Sequence, residues 1–204
     1  MTKEKLPTDV RREQIVASAL QVMGENPDKH LHIKDIAQRM GLAPSALYRH
    51  FRNRDAIMSA IFEFIRIKLY SNIETVRQTS EDAETRLREL LERHIRLIKS
   101  EHGIPRMIFS DELWGQNQEK RQKMFRIVTG YLAEIEDIVR EGQFKGEIRQ
   151  DMNPMAAARM FFGVVQPAAL LWHMSEGRFD LDEHLALAWP FFWQTVMNQE
   201  SICQ

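Results

Sequence analysis

Residues 41–54 read GLAPSALYRHFRNR, an aromatic hydroxyl, three arginines and a histidine threaded onto a short apolar skeleton. Leu47 and Phe51, four apart, share one helical face, with Leu42 just upstream. Tyr48, Arg49, His50 and Arg52 fall largely on the other sides. The chemistry open to these side chains is gripping, not bond breaking. Arg49 carries the planar fork that fits guanine O6 and N7, and Ala46 suits a thymine methyl. Tyr48, His50 and the basic residues reach phosphates, which fix the register of a protein on a duplex. Small residues, Ser45 and Ala46, let the backbone approach a groove closely. A solvated helix face has the same composition, so the stretch alone leaves both readings open.

No other cluster offers bond chemistry. Paired catalytic carboxylates, a glycine-rich phosphate loop and a Ser/His/Asp signature are all missing, so no catalytic residue is assigned and an enzyme is not expected. His94, His173, Asp111 and Glu112 lack the HxxxH or HExxH spacing of a metal site, and neither metal nor cofactor is expected. His94 lies on a leucine face, where it is either a hydrogen-bonded core histidine or a polar contact to a ligand. The single cysteine, Cys203, excludes an intrachain disulfide and a cysteine-cluster metal site.

The elements that must position the 41–54 stretch are helices, because apolar spacing is helical almost throughout and strand alternation is not found. Ile15, Ala19, Val22 and Met23 mark a first helix with Thr8 as its N-cap. Ile33, Ile36, Ala37 and Met40 mark a short second helix that stops at Gly41. Pro44 suits the first turn of a third, and Asn53 caps a long fourth. A second helix, a glycine-led turn and a third helix have the spacing of the helix-turn-helix, whose second helix lies in the major groove. Longer helices follow over about 81–103, 117–141, 153–177 and 181–198, with a short one over 104–114.

The segment IVASALQVM … IKDIAQRMGLAPSALYRHFRNRDAIMSAIFEFI resembles the N-terminal domain of the TetR family of bacterial repressors, over about residues 10–65. The resemblance rests on IKDIAQRMG followed by LYRHF and then a basic residue opening the fourth helix. It implies an all-α fold, a helix-turn-helix head over 1–55 and a helical ligand-binding and dimerisation domain over 56–204. It also implies phosphate contacts from Tyr48, His50 and Arg54, the last standing where the family has a lysine. With Lys34, Pro44, Ser45, Ala46 and Arg49 these make the expected DNA-binding set. Two departures concern caps: Ala43 stands where the family often has Ser or Thr, and His32 where it often has Thr.

Charge distribution agrees with a nucleic-acid contact at one end. Residues 1–55 hold ten Lys/Arg against seven Asp/Glu, and the remainder eighteen against twenty-two, within a net charge of -1. No apolar run reaches the eighteen or so residues of a membrane span, and MTKEKLPTDVRR lacks a signal-peptide core. A cytoplasmic protein with no membrane partner is expected. In the body, His94, Met107, Phe109, Trp114, Phe125, Phe161, Phe162 and Trp172 suit an apolar or planar effector, or serve as plain helical core. AAARMFFGVVQPAALL and LALAWPFFW carry apolar residues on more than one side. They suit a four-helix interface between two copies, or burial within one chain.

The reading that follows is a homodimeric regulator on a pseudo-palindromic duplex, most simply a repressor released by a small apolar or aromatic ligand. Control by a protein partner is the alternative. An all-helical enzyme or lipid carrier would leave the basic head unexplained.

Overall fold

Apolar residues three and four apart bury one face of each segment, and the computed structural model accordingly holds helices. It describes residues 7–25, 31–109, 113 and 118–198. Within them lie α1 (Thr8–Glu25), α2 (Ile33–Arg39), α3 (Pro44–Tyr48), α4 (Arg54–Thr79) and α5 (Ala83–Ser100). α6 (Gly103–Ile108), α7 (Gln118–Phe144), α8 (Pro154–Met174) and α9 (Leu181–Val196) complete the order. Among the described residues there is no strand, only an isolated antiparallel bridge between Ile148 and Met197. The fold is all-α.

Several helix starts follow the cap chemistry of the sequence. Asn53 Oδ1 accepts from the Ala56 amide at 2.9 Å, and Asn153 Oδ1 from Ala156 at 3.0 Å. Asp180 Oδ1 accepts from both Asp182 and Glu183. Thr8 is the exception: it is the first helical residue, and the Pro7 carbonyl accepts from Arg11 at 3.1 Å. Proline tolerates the position before a helix because the first turn's donors lack internal partners in any case.

The chain divides into two compact units, Met1–Arg66 with Glu101–Arg121 and Ile67–Ser100 with Gln122–Gln204. The division does not follow chain order, because α6 packs on α1. Gly103 makes that contact possible: a Cβ there would lie 2.1 Å from the Leu20 carbonyl oxygen. Arg106 Nη1 also donates to the Met23 carbonyl at 3.4 Å. Around these residues Ile15, Ala19, Ile36, Ala37, Ile57 and Ile61 are fully buried.

In the second unit α5 buries Leu87, Leu90, Leu91, His94, Ile95 and Ile98 as one stripe, and α7 buries Met124, Ile127, Tyr131, Ile135 and Ile138. Glu141 joins three helices by accepting Arg77 Nη1 at 2.7 Å and Arg86 Nη1 at 2.6 Å. α8 continues through Pro167, and three residues before it the Val164 carbonyl meets His184 Nε2 of α9 at 2.9 Å.

Candidate nucleic-acid interface

α2 ends where Met40 closes the helix and Gly41 takes φ +63°, a left-handed position that costs a residue with a Cβ more than it costs glycine. The Leu42 amide bonds the Ala37 carbonyl at 2.9 Å, and the chain then turns into α3. Pro44 occupies the first turn of α3, as expected. Ala43, its extended N-cap, offers no side-chain acceptor, and neither does His32 before α2. α3 is a helix of five residues, shorter than the motif it carries. Arg49 closes it, and the His50 and Phe51 amides both bond the Leu47 carbonyl at 2.9 Å.

So short a helix is held from beneath. Leu47 and Phe51 are 1% and 2% exposed, which makes them the mount. Above them Pro44, Ser45 and Arg49 are exposed, Ala46 and His50 are half-buried, and Tyr48 shows 54% of its surface. Lys34 is exposed in the first turn of α2, which packs against α3. Arg54, half-buried, opens α4. Burial lowers its guanidinium's pKa, while the neighbouring Asp55 raises it. The structure thus brings the eight expected side chains into one helix-turn-helix and the turn after it.

Asp55 has a partner that no spacing in the sequence signals. Lys120 Nζ lies 2.9 Å from its carboxylate, with the lysine stem largely buried. Hydrogen bonding to Lys120 leads the causes that hold the Asp55 carboxyl below its usual range. The pair joins the first turns of α4 and α7 within the first unit.

The residues expected to meet an effector are not one set. Met107 is buried and Phe109 half-buried in the first unit, and Trp114 lies outside the described residues. In the second unit Phe125 is 68% exposed. It follows Met124 of the buried stripe and so points about 100° away from it around the helix. His94, Phe162, Phe161 and Trp172 do lie inward. The His94 ring meets Tyr131 edge-on at 5.5 Å and Phe162 at 6.3 Å. His94 Nδ1 is 3.3 Å from the Tyr131 hydroxyl. Burial lowers the His94 pKa to about 4 and raises that of Tyr131, so both are neutral near pH 7. Phe161 packs instead on Phe192, at 5.8 Å. Separately, an open groove of about 570 Å³ runs between α5 and α9, lined by Ile95, Leu185 and Trp189 and by charges of both signs, among them Arg88, Glu92 and Asp182.

The outer sides of α8 and α9 carry large apolar side chains. Met160, Leu170, Leu171 and Met174 are 38–70% exposed on α8, and on α9 Leu187 is 63% and Phe191 74% exposed. By length and composition α8 is apolar enough to cross a membrane, but its other side is buried through Ala157, Phe161, Val165, Ala168 and Trp172.

Comparison with known proteins gives these geometries a context. A model of the bacterial regulatory proteins of the tetR family matches residues 15–61, and one of the YsiA-like protein C-terminal region matches residues 65–191. The chain is similar to the fatty acid metabolism regulator protein of Bacillus subtilis, 27% identical over 88% of this chain and 90% of that one. It is also similar to the nucleoid occlusion factor SlmA of Shewanella amazonensis, 24% identical over 96% and 98% of the two chains. Among solved structures, the transcriptional regulator FadR from Bacillus subtilis in complex with stearoyl-CoA superposes with a TM-score of 0.71. It is 26% identical, over 89% of this chain and 95% of that one.

Proposed function

The chain belongs to the tetR family of bacterial regulatory proteins and has a YsiA-like C-terminal region, and from that premise we propose a homodimeric repressor that a small apolar effector releases from DNA. DNA binding lies in residues 1–55, and effector binding and dimerisation in 56–204, in the cytoplasm. The observation that carries the reading is the mounting of α3. Leu47 and Phe51 are sealed, while Ser45, Tyr48 and Arg49 stand exposed above them. Ser45, Ala46 and Arg49 read bases. Lys34, Tyr48, His50 and Arg54 hold phosphates, with Pro44 setting the helix entry. Two such helices, one per copy, enter successive major grooves about 34–36 Å apart on a pseudo-palindrome.

The exposed apolar sides of α8 and α9 supply the surface a second copy would cover. The effector's polar end pairs with His94 and Tyr131, and Phe161, Phe162 and Trp172 surround its apolar part. Both polar groups are neutral, so they suit a carbonyl or hydroxyl better than a carboxylate. Stearoyl-CoA, held by a relative of known structure, carries a thioester carbonyl on a long apolar chain and is the first effector to try. It would release DNA only by binding the DNA-free form more tightly.

A gel-shift series on a duplex selected by the protein from random sequence tests the reading. Arg54→Ala should weaken all duplexes and lower the salt slope by roughly one unit, whereas Arg49→Ala should change which duplex is preferred. If neither alters retention, α3 is not the recognition surface. Added stearoyl-CoA should free the duplex. Control by a protein partner is the second reading, favoured by the exposure of Phe125 and of Ile67, 52% on α4. DNA release insensitive to acyl-CoA but sensitive to Phe125→Ser would favour it.

A further inference from the structure

α3 is too short to hold its own shape. Five residues make little more than one turn, and Ala43 leaves the N-terminal end without a side-chain cap. At the other end the last carbonyls have no helical partners. The Leu47 carbonyl is taken by two following amides, which leaves the exit of the helix to something outside it. Arg12, in the second turn of α1, is that partner. Its Nη1 donates to the His50 carbonyl at 2.8 Å, across 38 positions of sequence. The same guanidinium stands 4.3 Å from the centre of the Phe51 ring.

One planar group can make both contacts at once. The edge of a guanidinium donates hydrogen bonds, and its face stacks on an aromatic ring. Arg12 therefore holds two successive residues at once, one by backbone and one by side chain, and Phe51 is itself sealed in the core. The neighbouring arginine is not equivalent: Arg11 Nη1 turns to Gln14 at 2.9 Å on its own helix. We propose that Arg12 is a positioning residue that latches the exit of α3 to α1, fixing the direction in which Arg49 and His50 are presented. The proposal rests on the reading of α3 as the recognition helix.

Arg12→Met keeps the reach and apolar stem of the side chain and removes the fork. In the DNA-free protein, hydrogen exchange at the His50 and Phe51 amides should quicken by about tenfold, with the amides of α1 unchanged. Arg12→Lys, which can still donate to the carbonyl, should recover part of that protection. Exchange left unchanged by Arg12→Met overturns the latch. On DNA, Arg12→Met should weaken the selected duplex by about tenfold while leaving a scrambled duplex and the salt slope as they were. Equal weakening of both duplexes with a shallower slope would make Arg12 a phosphate contact, and the positioning role would fall. Failure of the unaltered protein to bind any duplex would overturn the DNA reading itself, and the exchange measurement would still decide the latch.

Discussion

Around α3 the long exposed side chains, Tyr48 and Arg49, are polar or basic, and the large apolar ones, Leu47 and Phe51, are sealed beneath them. Along α8 and α9 it is the large apolar side chains, Met174, Leu187 and Phe191 among them, that stand in water. The first surface is complete in water, and in its proposed role a charged partner replaces hydration with phosphate and base contacts. The second is not, since each Å² of apolar surface left in water costs about 25 cal/mol. A surface that is stable alone can meet its partner reversibly under salt and effector control. An apolar one is suited to a lasting partner, and a second copy of the chain has the same need.

The sharpest way to break this comparison is to remove the mount. Phe51→Ala deletes a fully buried ring and should cost about 4 kcal/mol. Thermal unfolding should show the loss, and DNA binding should vanish although no exposed side chain has changed. Retained binding would mean that the exposed residues do not depend on what lies beneath them.

The interior of the second unit gives the next effect. Folded His94 takes up a proton only near pH 4, whereas in the unfolded chain it does so near 6.5. Between those values the unfolded state binds the extra proton, so stability falls as pH falls through that window, by at most about 3 kcal/mol. Denaturant melts at a series of pH values should show the slope, and His94→Leu should flatten it. A wild-type profile already flat between pH 6.5 and 4 would show that His94 is not held neutral.

Phe191→Glu addresses the other side of the comparison. Losing the burial of a phenylalanine across an interface costs about 2 kcal/mol per copy, or about 4 kcal/mol for the two copies, a roughly thousandfold rise in the dimer Kd. Sedimentation should show more monomer, with the melting temperature of the monomer hardly altered because Phe191 is 74% exposed. A dimer that ignores the substitution would place the contact elsewhere.

Both surfaces were legible in the sequence to different depths. The α2–turn–α3 segment could be read because every determinant is local: apolar spacing, Gly41 at the turn, Pro44 at the start, Asn53 as the next cap. The apolar sides of α8 and α9 were visible in AAARMFFGVVQPAALL and LALAWPFFW, although not which side would be left outside. The exposure of Phe125 is also readable, since its step from Met124 turns it off the buried stripe. The packing of Gly103 on Leu20, the Lys120–Asp55 pair and the reach of Arg12 to His50 could not be read. Each joins residues tens of positions apart, and no periodicity encodes which distant carbonyl or carboxylate a side chain will find.

The smallest expected effect concerns the missing cap, and it sharpens the account of α3 more than its size suggests. Pro44 has no amide hydrogen, and the Ala46 amide already bonds the Ala43 carbonyl at 2.9 Å. A serine hydroxyl at position 43 can therefore accept from Ser45, or share Ala46. Ala43→Ser should add about 1 kcal/mol of stability, visible as a small rise in the melting temperature. If order in α3 limits recognition, DNA affinity should rise by up to about fivefold, because less ordering remains to be done on binding. Combined with Arg12→Met, the gain should be larger than in the unaltered chain, since a helix freed at its exit depends more on its entry. Equal gains in both backgrounds would mean that the two ends of α3 are ordered independently.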